Sequence, residues 1–322
     1  MSYPWLRSED RLIRINDLVL VLVIFCCIAA GIGLPEYTTV FSPYPFILLM
    51  VVLFFSFLKI EFVNAFHEMR KAVSILFVLC LLKLLVLPVA LFFLTRAVWP
   101  EYALPVLLLS GISTGVVAPF ISSLLNASTL LVLMMVVISS LLAPFSLPAL
   151  VKLLVGQTLD LSFLAMVKTL AMLVLLPALA ATLLRYAAPS FPKKVERIQY
   201  PLSVVIFACI NLGVFSRYSS YFRQRLEKVA EVVLIAFALS LVYHIVGLLV
   251  TWGRKGEDRL AGAVSLAYMN NVLIVVFSSQ FFDPLSPTLA AVYMLPFFAM
   301  IVPARMVGDR FRAVGRGKVP AP

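Results

Sequence analysis

Charged side chains are scarce in this sequence, and acidic ones are the scarcest. Only 13% of the 322 residues are Asp, Glu, Lys or Arg, whereas a soluble domain has about 25%. Hydrophobic residues make up 63% of the chain. This composition excludes an ordinary soluble domain and indicates a protein that crosses the membrane several times. The formal charge of +11 is therefore attributed to basic residues in the loops and tails that orient the spans in the membrane. No nucleic-acid partner is expected.

The acidic residues are also absent from the middle of the apolar runs. All 15 of them lie in loops, in the terminal segments or at the ends of these runs, so no carboxylate is available to bind a hard cation in the interior. The sequence has no HExxH motif, no pair of mid-span aspartates and no evident Ser-His dyad, which argues against an intramembrane enzyme. The four cysteines lie in apolar runs without metal-ligand spacing. We expect free thiols, no metal and no cofactor.

Ten apolar runs approach the roughly 20 residues that a membrane-spanning helix needs. Most basic residues lie on the side of the first and last residues, so both termini are predicted to be cytoplasmic. A basic loop at 217–228 is an exception that the sequence does not explain. The predicted spans are 16–34, 43–60, 72–95, 102–125, 128–155, 161–184, 199–216, 229–252, 259–282 and 286–306.

These ten spans divide into two sets of five with nearly equal length. Because five is odd, two such repeats would enter the membrane from opposite sides, as in the inverted repeats of transporters. The predicted organisation is an interfacial N-terminal segment (1–15), a first repeat (16–155), a second repeat (161–306) and a basic cytoplasmic tail (307–322).

The fourth predicted span contains helix-breaking residues at its middle. Residues 109–126 read LSGISTGVVAPFISSLLN, with Ser113, Thr114, Gly115 and Pro119 at the centre. Proline removes an amide donor and disfavours helix in the residue before it, so two half-helices that meet near mid-membrane are predicted. Such discontinuous helices build the binding sites of many transporters. The alternative is one helix with a proline kink.

The ninth predicted span occupies the matching position in the second repeat. Its centre carries two adjacent asparagines, Asn270 and Asn271, which are costly in lipid unless they face a partner or a cavity. We interpret them as the second part of a binding site. The alternative is that they hydrogen-bond neighbouring helices.

Lys83 stands about ten residues, or ~15 Å, from the nearest end of the third span. Its side chain is too short to reach water over that distance, so it must face protein or a cavity. An intramembrane charge is a functional candidate by default, although a purely structural lysine remains the alternative.

The sequence resembles the bile acid:sodium symporter family, in the form of a divergent bacterial-type homologue. The likeness rests on KIEFVNAFHEMRK at 59–71, on Lys83 followed by Pro88, on the stretch Ala143-Pro144 to Pro148, and on Tyr268 to Asn271. The family is related more distantly to arsenite permeases and auxin carriers. The resemblance implies an all-α membrane protein with ten transmembrane helices in two inverted five-helix repeats. It also implies core and panel domains, and broken, crossing helices 4 and 9.

The same resemblance implies that the sodium sites are missing. Sodium-coupled members bind two Na⁺ ions, and most of their ligands are replaced here. Lys83 takes the place of a helix 3 glutamine, so we expect its ammonium to stand in for a sodium ion; alternatively, it could carry a coupling proton. By the same resemblance, the family's other sodium-ligand positions correspond to Ala118, Pro119, Val132, Val136, Leu266 and Asn270.

These observations predict a secondary transporter of small organic or amphipathic anions that works by alternating access. We expect the substrate site and crossover to comprise Ser113, Thr114, Gly115, Pro119, Asn270 and Asn271, with transport coupled to protons or uncoupled. One alternative is a membrane binding or sensor protein that has lost transport, and another is a sodium symporter with relocated ligands. Weaker site candidates are Lys168, His244, Ser139 and Ser140. Tyr293, in the last predicted span, is expected to make the site less polar. The protein is expected in a bacterial-type inner membrane.

Overall fold

The computed structural model describes residues 15–58, 72–156, 162–225 and 227–315, and these are nearly all helical. Parts of the sequence interpretation fall outside the described residues: the N-terminal segment up to residue 14, the family-like stretch 59–71 and the end of the tail, 316–322. We number the α-helices in chain order: α1 Ile15–Gly33, α2 Pro35–Thr38, α3 Pro45–Phe57, α4 Val73–Leu81, α5 Leu87–Val98, α6 Ala103–Gly111, α7 Ala118–Leu124, α8 Thr129–Leu154, α9 Phe163–Ala187, α10 Phe191–Arg217, α11 Ser219–Gln224, α12 Glu227–Val250, α13 Gly256–Ala267, α14 Asn271–Phe281, α15 Leu285–Val292, α16 Met294–Ala299 and α17 Ile301–Gly315.

Four helical stretches in the described part of the chain are long and apolar enough to cross a membrane: Val73–Val98, Thr129–Leu154, Phe163–Ala187 and Glu227–Val250. Two bent pairs raise the number to six when each pair counts as one span. Pro35–Phe41 meets Pro45–Phe57 at 56°, and Leu285–Ala299 meets Ile301–Phe311 at 41°. The chain is therefore an integral membrane protein with several helical spans.

The fourth and ninth predicted spans each consist of two shorter helices. The fourth is α6 and α7, and the ninth is α13 and α14, so neither contains one uninterrupted membrane-length helix. The last helix continues to Gly315, past residue 306, where the last span was expected to end.

Glycine allows α12 and α13 to pack with their backbones in contact. A Cβ atom on Gly247 would lie 2.5 Å from the Cα of Ala263, and one on Gly262 would lie 2.6 Å from Cγ2 of Thr251. Real Cβ atoms do not approach other atoms so closely, and interiors have no spare space to absorb the overlap. The small residues thus fix α13, and with it the start of the second interrupted stretch, against α12.

Two of the four basic residues at 217–228 have polar partners within the protein. Arg223 donates from Nε to the carbonyl of Ile32 at 3.0 Å and from an Nη to that of Gly33 at 2.7 Å, and it thereby caps the C-terminal end of α1. Lys228 forms salt bridges with Glu101 and Glu231. These contacts explain why positive charge occurs in a loop where the topology rule does not predict it.

Candidate functional site

The fourth predicted span is interrupted at residues 112–117, which we call the first break. α6 ends at Gly111, and the backbone of Ile112 is extended, with φ −78° and ψ 160°. α7 begins at Ala118, so Pro119 lies in its first turn, where the missing amide hydrogen costs no helical bond. The structure therefore contains two helices here and not the alternative, a single kinked helix.

The ninth predicted span is interrupted at residues 268–270, which we call the second break. α13 ends at Ala267 and α14 begins at Asn271. Asn270 is the N-cap of α14, since its side-chain oxygen accepts a hydrogen bond from the amide of Leu273 at 3.4 Å. One of the two asparagines thus caps the start of a helix, as asparagine commonly does at this position.

The two breaks meet each other. Thr114 and Met269 form an isolated antiparallel bridge. The amide of Gly115 donates to the carbonyl of Tyr268 at 2.8 Å, and the amide of Asn270 donates to the carbonyl of Ser113 at 3.0 Å. Non-helical backbone at membrane depth must satisfy its polar groups within the protein. Each break satisfies part of this requirement for the other.

Gly115 is required for this approach. A Cβ atom at this position would lie 2.6 Å from the carbonyl oxygen of Met269 and 2.9 Å from its carbonyl carbon. Every other L-residue carries a Cβ, so only glycine fits without moving one break away from the other. The sequence interpretation placed Gly115 at the site, and the structure gives a steric reason for glycine there.

Three side chains from three different parts of the fold donate to the carbonyls that end α13. Thr114 Oγ1 donates to Ser265 at 2.7 Å, Lys83 Nζ to Leu266 at 3.2 Å, and Tyr293 OH to Ala267 at 2.9 Å. The last four carbonyls of a helix have no partner within it. These three donors supply the missing partners, and one of them is cationic, which suits the negative end of a helix dipole.

Lys83 is fully buried, with 0% of its surface exposed. It lies in a π-helical turn, Leu82–Val86, a distortion that often occurs at functional positions. Its Nζ atom is 5.4 Å from the ring centroid of Tyr243, within the range of a cation–π contact. The structure therefore surrounds the ammonium group with a carbonyl and an aromatic face, and it places Lys83 at the second break although the two lie 183 residues apart in sequence.

Most of the predicted site residues lie together. Ser113, Thr114, Gly115, Asn270 and Asn271 are all buried at the two breaks. Ser139 also belongs here, because its hydroxyl accepts a hydrogen bond from the amide of Thr114 at 3.0 Å. Pro119 lies apart, in the first turn of α7, and is half-buried. Lys168 lies on α9.

Several buried polar atoms around the breaks have no hydrogen-bond partner. These are the hydroxyls of Ser113, Ser140, Ser265 and Tyr268, Nε2 of His244, and both side-chain amide atoms of Asn271. An unpaired polar atom in a buried setting costs about 1–3 kcal/mol. Such atoms are expected to be partners for water or for a bound solute.

Sequence reasoning missed the role of the tyrosines. Tyr293 was interpreted as making the site less polar, yet its hydroxyl caps α13. Tyr243 was not considered, although it is fully buried, lies beneath Lys83 and hydrogen-bonds Ser110. The available signal was the presence of tyrosines inside apolar spans, since a buried tyrosine usually finds a partner for its hydroxyl.

Substitution of Thr114 tests the capping of α13. We expect Thr114→Val to lower the free energy of unfolding by about 1–2 kcal/mol, because the carbonyl of Ser265 loses its donor. Thr114→Ser keeps the hydroxyl and should remain within about 0.5 kcal/mol of the original protein. Thermal unfolding in detergent measures the difference. Equal midpoints for the two variants would contradict the capping role.

Carboxylate, histidine and cysteine side chains do not gather at this site. Within the described ranges, no group of three or more such side chains is close enough to hold a metal ion. The buried groups that face the breaks are hydroxyls, amides, tyrosines, one histidine and one lysine. All of these groups can form hydrogen bonds with a solute.

Comparison with known proteins identifies the family. No curated protein matches the chain. The sequence model of the sodium bile acid symporter family matches residues 46–225, which is more than half of the chain and includes Lys83 and the first break. The second break lies beyond the matched residues. On this match, the chain belongs to the sodium bile acid symporter family, whose members are membrane transporters.

Proposed function

We propose that the protein is a secondary transporter of small organic or amphipathic anions that works without sodium. The observation that carries this proposal is the hydrogen bond from Lys83 Nζ to the carbonyl of Leu266, at 3.2 Å. By the resemblance described above, Leu266 stands where sodium-coupled members have a glutamate in helix 9, and Lys83 stands where they have a glutamine in helix 3. The resemblance thus gives Lys83 the place of one sodium ligand, and its ammonium contacts the position of another.

A lysine can replace a bound cation in one respect and not in another. It supplies a positive charge to the carbonyls at the end of α13, where the helix dipole is negative. It is covalently attached, however, and cannot be exchanged between the two sides of the membrane. The broken helix would therefore be stabilised continuously, and transport would not depend on the sodium gradient. The proposed absence of a conventional sodium site is supported by the buried polar residues of the described structure, which include no carboxylate.

The charges and dipoles around the breaks favour an anion. Lys83 is the charged group buried beside them. α14 begins at the second break with its positive dipole end, and its first residue, Asn271, has an unpaired amide group. An anion with an apolar body would suit these donors and the mainly hydrophobic surroundings. The proposed substrate contacts are Ser113, Thr114, Gly115, Asn270 and Asn271.

The family and the two interrupted spans support a particular architecture. We propose ten spans in two inverted repeats, with a core that contains the breaks and a panel against which it moves. Positive charge near the ends of the chain supports cytoplasmic termini, and we propose a bacterial-type inner membrane as the location. Coupling is to protons or is absent.

A second candidate function is sodium symport with relocated ligands. The unpaired hydroxyls of Ser113, Ser140 and Ser265 favour this alternative, because hydroxyl oxygens can bind sodium. A binding protein that has lost transport is the third possibility, and a direct measurement of uptake separates it from the other two.

The deciding experiment measures uptake of benzoate and cholate by proteoliposomes that contain the purified protein. We expect uptake above that of protein-free vesicles, and an unchanged rate when choline replaces sodium. A strict sodium requirement would favour relocated sodium ligands. Binding without uptake would favour the binding protein and would contradict the proposed transport.

A further inference from the structure

His244 and Tyr268 form a buried polar pair beside the second break. His244 lies on α12 and is 6% exposed, and Tyr268 directly follows α13 and is 1% exposed. Their rings are in edge contact, with centroids 5.6 Å apart. The ring of Tyr268 also packs on Phe297 at 4.7 Å. The phenol is therefore fixed between two aromatic neighbours at the place where the helix is interrupted.

The hydrogen bonds define which atoms of this pair are unused. Nδ1 of His244 is 2.7 Å from the carbonyl of Ser240. A carbonyl oxygen can only accept, so Nδ1 carries a proton and donates it. Nε2 of the neutral ring then has a free lone pair, and it has no partner; the hydroxyl of Tyr268 has none either. The bond to Ser240 is enough to hold the ring in place. A buried acceptor without a partner is unfavourable, however, so the unpaired Nε2 calls for a further partner.

The charged groups around the pair limit what can bind there. α12 packs against α13, α15 and α16. The neighbouring titratable groups include Tyr243 on the same helix, Tyr293, whose ring contacts that of Tyr243, and Lys83, which lies over the ring of Tyr243. The other charged residues of the described α12, α13, α15 and α16 lie near helix starts, namely Glu227, Lys228, Glu231, Glu257, Asp258 and Arg259. No carboxylate is therefore available in the middle of these helices to balance a proton on His244.

We infer that His244 and Tyr268 bind a carboxylate together with one proton, an inference that rests on the proposed transport of anions. The proton comes from the aqueous phase and binds the lone pair of Nε2. The new N–H group and the phenol O–H then donate to the carboxylate oxygens, and no covalent bond forms or breaks. The imidazolium and the carboxylate together carry no net charge.

The low polarity of the interior makes the two binding events depend on each other. An unpaired charge away from water is unfavourable by several kcal/mol, whereas a hydrogen-bonded pair is much less so. A proton on His244 thus requires the anion, and the anion at this position requires the proton. Mutual dependence of this kind is the thermodynamic basis of coupling between two ligands. It assigns the proton to His244 and leaves Lys83 as a fixed cation.

The chain contains only two histidines, His67 and His244, which makes a direct test practical. The protein is labelled with ¹⁵N-histidine in the His67→Gln background and reconstituted in lipid nanodiscs, and benzoate is the probe. Without benzoate at pH 7, we expect the spectrum of a neutral ring protonated at Nδ1. Saturating benzoate should convert it to the doubly protonated ring. An unchanged spectrum with benzoate bound would overturn the inference.

Binding and uptake of benzoate in matched variants provide the second readout. In the original protein and in His67→Gln, apparent affinity should fall about tenfold for each pH unit above neutrality, as uptake of one proton requires. His244→Gln should remove this slope. Tyr268→Phe should keep the slope and weaken binding about tenfold or more.

Three further outcomes would overturn the inference. Benzoate uptake with the same pH slope in His244→Gln as in His67→Gln would do so while the proposed transport stands. Equal affinity of Tyr268→Phe and the original protein would exclude the phenol as a ligand. Absence of binding of both benzoate and cholate at every pH would overturn the inference and the proposed function together.

Discussion

Gly115→Ala is expected to reduce uptake to the level of protein-free vesicles. The added methyl group would lie 2.6 Å from the carbonyl oxygen of Met269, so the two breaks must move apart. This separation breaks the hydrogen bonds from Gly115 to Tyr268 and from Asn270 to Ser113. Overpacking typically costs about 1–3 kcal/mol, and each polar backbone group left unpaired in the membrane adds to it.

Gly33→Ala is the matched control, since a Cβ atom there meets nothing within 4 Å. It should leave uptake and thermal stability close to those of the original protein. Uptake and unfolding midpoints would be measured for both variants in the same lipid. If Gly115→Ala transports at the rate of Gly33→Ala, the close contact between the breaks is not needed for function.

Lys83→Gln is expected to make transport depend on sodium. Removal of the ammonium leaves the carbonyl of Leu266 without its cationic donor, and a free cation should then improve the stability of the broken helix. We expect uptake in choline to fall about tenfold below uptake in sodium, which is the size of effect expected for one charge-assisted hydrogen bond.

The neighbouring variant Leu82→Ala controls for disturbance of the π-helical turn. Leu82 is half-buried and lies in the same turn, Leu82–Val86, but it carries no charge. Its uptake should be the same in sodium and in choline. If Lys83→Gln and Leu82→Ala respond alike to sodium and to pH, then Lys83 has a structural role and does not replace a sodium ion.

The sequence predicted the position of the first break because the signal is local. Proline and the cluster of small polar residues disfavour helix through residues 112–117. The burial of Lys83 followed from its distance to the span ends. Each of these two inferences needs only the residue type and its position along the chain. The second break was expected only from the family resemblance, although Asn270 is a residue type that commonly caps a helix.

The contacts that join the breaks could not be predicted in the same way. Lys83, Thr114 and Tyr293 all donate to main-chain carbonyls, and every residue has a carbonyl, so the sequence does not mark the acceptor. The unpaired Nε2 of His244 is equally invisible without coordinates. Side-chain partners within a span can be inferred from spacing, whereas partners brought together by the fold cannot.

The hydrogen bonds between the two breaks also affect how the protein is made. Residues 113–115 are synthesised well before residues 268–270, and their backbone groups lack these partners until then. The first break is thus incomplete until the second half of the chain has been made. A protein divided into two fragments between residues 156 and 162 should accumulate only when both fragments are produced in the same cell.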